Sequence, residues 1–140
     1  MSTGMRNQTK NQQGQAMVEF ALVLPLLLVV LLGIVQFGIL FHNYETLTDA
    51  VRAGARQAAV SRTLGDPQGV TKSRVKQSAA GLDANKLVIT VSPWDPVANK
   101  AQWTSGGDVS VSATYPWNIK IFGFAVLSGN LKSKTTERVE

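Results

Sequence analysis

Gly14-Gln-Ala-Met-Val-Glu19-Phe20 opens an apolar run that continues to Phe41 without another charged side chain. This stretch decides the fold. As an α-helix rising about 1.5 Å per residue, Phe20 to Phe41 reaches roughly 33 Å, enough to cross a hydrocarbon core of about 30 Å. At its mouth stands one carboxylate, Glu19. A charge at mid-bilayer costs from about 2.5 to more than 10 kcal/mol, depending on how it is measured. A residue that costly is a functional candidate by default, and it needs a partner.

The flanks set the topology. Arg6 and Lys10 precede the run with no acid to balance them. Positive residues stay cytoplasmic, which predicts an N-terminus inside and a C-terminal domain on the far side of the membrane. Residues 1–14 read as a polar cytoplasmic leader without ordered structure, 15–41 as the transmembrane helix, 42–64 as its amphipathic continuation, and 65–140 as an extracytoplasmic α+β domain. The continuation carries Leu47, Ala50, Val51, Gly54, Ala55, Ala58 and Ala59, spaced i, i+3, i+4, i+7, i+8, i+11 and i+12. That is one stripe of a helix. The simplest reading is a single helix from about Gln15 to Ser61, with the stripe packed on strands of the same chain rather than on another subunit. Pro25 removes a hydrogen-bond donor inside it and predicts a kink or local loosening, incidental or built in.

Beyond Gly65 the pattern changes. Asp66-Pro67 predicts an N-cap and first helical residue, with a short helix to about Gly81 whose inward positions are Val70, Val75 and Ala79. Period two follows: Leu87, Ile89 and Val91, then Val109, Val111, Ala113 and Tyr115, read as half-buried strands. Asn130 to Val139 reads as a polar edge strand protected by Lys132 and Lys134. Pro93-Trp94-Asp95-Pro96, Ser105-Gly-Gly-Asp108 and Pro116-Trp117-Asn118 read as turns. The apolar segment Ile119 to Leu127 is too short to span a bilayer and is expected to fold over the core.

Composition excludes several kinds of chemistry. There is no cysteine and one histidine, so disulfides, thiol catalysis and a Cys/His metal site are ruled out. His42, at the end of the apolar run, reads as an interfacial residue. The net charge of +5 is spread along the chain without a Lys/Arg cluster, which argues against nucleic acid. Gly106-Gly107 is a turn rather than a phosphate loop. Trp94, Trp103 and Trp117 read as loop residues that pack rather than bind. Neither an enzyme, a cofactor nor a small-molecule substrate is expected.

A secretory signal peptide would have a shorter apolar stretch and a small-residue cleavage site after it; Gln36 to Tyr44 offers none. A plain anchor fits the length but leaves Glu19 unexplained. Gly14, then Glu19-Phe20, then a hydrophobic helix resembles instead the processing site of type IV pilin-like proteins. Gly14 to Pro25, Leu32-Gly-Ile-Val-Gln-Phe-Gly38 and Ala50-Val-Arg-Ala-Gly-Ala-Arg-Gln-Ala-Ala59 together resemble the TadE-like family of tight-adherence (Tad/Flp) pilus systems. That resemblance covers about a third of the chain. It implies a pilin-like α+β fold, a long N-terminal helix packed on a small antiparallel sheet. It also implies a pseudopilin or minor pilin of the inner membrane that supports assembly of a pilus. Its expected partners are the membrane, a prepilin peptidase, other pilin-like subunits and the Tad machinery. Carried over residue by residue, Gly14 precedes the scissile bond, Gln15 becomes the new N-terminus, and Glu19 and Phe20 are the marker pair. The competing reading is a membrane-tethered binding module with an uncleaved anchor.

Overall fold

The computed structural model describes residues 5–99, 101–121 and 123–140. Five elements follow in order: α1 (Met5–Ala59), α2 (Pro67–Ser78), β1 (Val88–Trp94), β2 (Asp108–Ile121) and β3 (Phe124–Arg138). The chain divides into two compact units, the second running from Ile39 to Glu140.

In the first unit, α1 starts at Met5, so residues 5–13, expected to lack order, are helical. A nucleated helix adds a hydrogen bond per residue at little cost, and Gln, Lys and Arg are good helix formers. Residues 1–4 of the expected leader lie outside the described residues. Pro25 lies inside α1 without ending it.

The second unit holds the core. Leu47, Ala50, Val51, Gly54, Ala55, Ala58 and Ala59 of α1 are all buried. Leu47, Ala50, Val51, Ala55 and Ala58 share one apolar cluster with Val75 and Ala79, with Leu87 and Val91, with Val109, Val111 and Ala113, and with Val139. The small residues matter because they let backbones approach. A Cβ added to Gly54 would run into the Val75 side chain and lie 3.7 Å from the Thr71 carbonyl oxygen. Asp66 caps α2 by accepting from the Gly69 N–H at 2.9 Å. The face of α2 turned to the core carries Thr71 and Val75, one turn apart, while Val70 is exposed. This corrects the expected inward set: Val70 precedes Thr71 by one residue, about 100° round the helix from the face that meets Gly54. The Thr71 hydroxyl donates to the Pro67 carbonyl at 2.8 Å, so its burial leaves no orphan group.

The sheet is antiparallel in the order β1-β2-β3. Alternation places Val109, Val111 and Ala113 on the core face, opposite Pro93, Val91 and Ile89 of β1. Two expectations fail in its C-terminal half. Pro116-Trp117-Asn118 is not a turn but lies within β2, where Pro116 faces Asn130. β1 pairs only as far as Thr114. Pro116 therefore lies where β2 has one neighbour instead of two, a place that tolerates a missing donor. Nor does Ile119–Leu127 fold over the core: it is the end of a β2–β3 hairpin in which Ile121 pairs with Phe124 and Gly123 takes φ 86°. A two-residue connection needs such a left-handed residue, and glycine adopts it without a Cβ penalty. Accordingly β3 begins at Phe124 rather than Asn130.

Backbone hydrogen bonds fasten the other end of the sheet. The Glu140 N–H donates to Ala59 O at 3.0 Å, Val139 N–H to Gly107 O at 2.8 Å, and Gly106 N–H to Val139 O at 2.8 Å. The start of β2 and the end of β3 thus both lie beside the C-terminal end of α1.

Candidate functional site

The marker residues lie on α1. Gly14 has open space around it, with nothing within 4 Å of where a Cβ would stand. From the next residue, the Gln15 side-chain amide donates to Glu19 Oε1 at 3.1 Å. The i, i+4 spacing brings these two groups together on one face. Residue 15 is therefore within hydrogen-bonding reach of the carboxylate. Met17, Val18, Phe20 and the large apolar residues that follow are exposed. The most apolar stretch of the helix is long enough to cross a membrane, and none of it is buried within the chain. A soluble protein's core helix of that composition would be covered by its own fold; this one has no such cover among the described residues.

His42 is exposed on α1, where its carbonyl oxygen accepts from the Thr46 hydroxyl at 2.9 Å. No group of three or more His, Asp or Glu able to hold a metal occurs among the described residues.

The tryptophans are not one platform. Trp103 packs against the core cluster. Trp94 pairs with Asp108 at one end of β2, whereas Trp117 lies nine residues further along that strand, about 30 Å away. The loop after Trp94 is organised by a residue that sequence reading passed over. Asp95 is buried and accepts from the N–H groups of Val97 at 2.8 Å and Ala98 at 3.0 Å, and from Gln102 Nε2 at 2.9 Å. The Ala98 N–H chiefly, with those of Val97 and Gln102, holds its carboxyl below the ordinary value against the opposing pull of burial. Loop donors occupy this carboxylate, so it is a brace rather than a ligand site. Pro93 and Trp94, expected in a turn, instead close β1, and the turn begins only after Asp95, whose Asp-x-x-Ala spacing was the only sequence signal, an Asx turn.

With this geometry in place, residues 14–56 match the family model for TadE-like protein. The similarity covers under a third of the chain. The matched span runs from the open glycine through the acid-marked helix and into the buried Ala/Gly stripe, ending before α2 and the sheet. No curated protein and no solved structure matches the chain. One apolar helix near the N-terminus fits a single-pass anchor by length and composition.

Proposed function

We propose that this chain is a TadE-like minor pilin or pseudopilin, held in the inner membrane with its N-terminus cytoplasmic and trimmed by a prepilin peptidase between Gly14 and Gln15. The observation that carries this reading is the join of three features inside the matched segment. An unobstructed glycine lies five residues before a carboxylate, and both stand at the head of a helix whose apolar surface is exposed.

Cleavage after Gly14 would free an α-amine on Gln15. The carboxylate of Glu19 lies one turn away, where it can neutralise that amine or the amine of a neighbouring subunit. Opposite charge in a poorly solvating environment is the main way to lower the cost of placing either group there. A carboxylate near the new helix N-terminus also meets the positive end of the helix dipole, worth about 0.3–1 kcal/mol. Because Gly14 is helical here, the peptidase would have to open the turn around it, and glycine is the residue that resists opening least. Pro25, ten residues further in, would loosen the helix where neighbouring subunits could take up the freed carbonyl of Ala21. The second unit would then sit outside the membrane and pack on other subunits of the Tad assembly.

The charge pairing is tested by Glu19→Gln. The variant is expected to be inserted and cut like the parent, yet to fail in pilus assembly. Normal assembly with Gln at this position would remove the proposed partner role of the carboxylate.

A further inference from the structure

The β2–β3 hairpin outruns the sheet. β1 pairs with β2 only from Asp108 to Thr114, so Tyr115–Ile121 and Phe124–Leu131 form a two-stranded ribbon extending roughly 23 Å beyond it. An isolated ribbon is marginal in water and gains stability by covering a face. Part of this one is consolidated: Ile119 is 6% exposed and the Trp117 indole lies over Gly129. Its end is not. Phe124 is 77% exposed, Val126 59% and Leu127 54%, three large apolar side chains within four residues of one strand. Single exposed apolar residues are ordinary, but a cluster at a projecting tip marks a contact.

Two observations identify what the tip meets. The first is charge. Between Asp108 and Glu137 there is no carboxylate, and the only charged residue near the tip is Lys120. Trp117 and Lys120 beside exposed Phe, Val and Leu form the combination that sits at a bilayer interface. The second is size. At roughly 200 Å² for each large side chain, three residues fall well short of the ~1,200 Å² of a stable protein interface. They suffice for a contact that a covalent tether already holds at high effective concentration.

We propose that the hairpin tip, Phe124 with Val126 and Leu127, inserts into the outer interface of the same bilayer that α1 spans, giving the second unit a second point of attachment. This rests on the reading of α1 as a membrane anchor.

The chain has no cysteine, which makes single-site labelling direct. The full chain is reconstituted in phosphatidylethanolamine/phosphatidylglycerol vesicles containing nitroxide-labelled lipid. A polarity-sensitive fluorophore is placed at Val126→Cys, at Val29→Cys within α1, or at Val97→Cys in the exposed loop after β1. The expected result is strong lipid quenching at positions 29 and 126 with a blue-shifted emission at 126, and no quenching at 97. Phe124→Glu combined with Leu127→Glu should abolish quenching at 126 and leave that at 29 unchanged. Quenching at 29 with a polar, unquenched label at 126 overturns the tip contact and leaves the anchor standing. No quenching at 29 overturns the anchor and the tip proposal with it. A blue shift at 126 that follows protein density rather than lipid quencher assigns the tip to a second copy and overturns the lipid contact.

Discussion

The apolar helix around Glu19 and the buried stripe from Leu47 to Ala59 lie on the same α1, yet they stand in opposite relations to the fold. Around Glu19 every described side chain is exposed. Along the stripe every position is buried, and Leu47, Ala50, Val51, Ala55 and Ala58 join the cluster shared with α2 and the sheet. A residue in the first region can therefore be selected for contacts outside the chain, while a residue in the second is constrained by the chain's own packing. Substitutions should separate accordingly: stripe variants should lose stability, and entrance variants should lose processing or assembly while remaining folded.

The largest stability effect is expected at Leu47, which is fully buried. Leu47→Ala should destabilise the second unit by about 2–5 kcal/mol, read from denaturant or thermal unfolding of the full chain in detergent. A loss below about 0.5 kcal/mol would mean that this end of the stripe is not core. Next is Gly54→Val, which forces added methyl groups against Val75 and should cost about 1–3 kcal/mol. Pairing it with Val75→Ala should recover part of that loss, since the clash is with that side chain. Gly14→Ala reverses the pattern. The site has open space, and alanine is the better helix former by about 1 kcal/mol, so stability should be unchanged or slightly higher. Processing should nonetheless fall, as seen by the persistence of the longer species on a gel.

The smallest effect is the pH dependence of the Asp95 loop. Its carboxyl is held below 3.8 in the folded chain, so the stabilisation is complete above the unfolded value and is lost as pH falls through the lowered folded one. Amide exchange of Val97 and Ala98 should accelerate relative to the rest of the unit below about pH 4. Asp95→Asn should remove that difference.

Much of this division was legible in the sequence because periodicity carried it. The i, i+3, i+4 spacing from Leu47 to Ala59 and the alternation in Leu87–Val91 and Val109–Tyr115 each specify a face, and each face is buried in part or whole. The cap at Asp66-Pro67 set the start of α2 by local chemistry alone. The hairpin tip was hidden because Ile119 to Leu127 is apolar nearly throughout, so alternation gives no signal there. Pro116 then looked like a turn; only the short reach of β1 explains how a strand tolerates it. Val70 was misplaced for a related reason: the apolar residue of that turn is not the inward one, because close approach to Gly54 selects Thr71 and Val75. Gly14 and Glu19 were visible as residue types at a spacing, and the role proposed for them needs molecules outside this chain.

The most direct test is the mass of the mature N-terminus, measured on chain recovered from membranes of cells with an active prepilin peptidase. Cleavage between Gly14 and Gln15 predicts a protein beginning at Gln15, with the longer form accumulating when the peptidase is inactivated. Residues 1–14 still attached in cells with the active enzyme would contradict it and leave the helix as a simple tether.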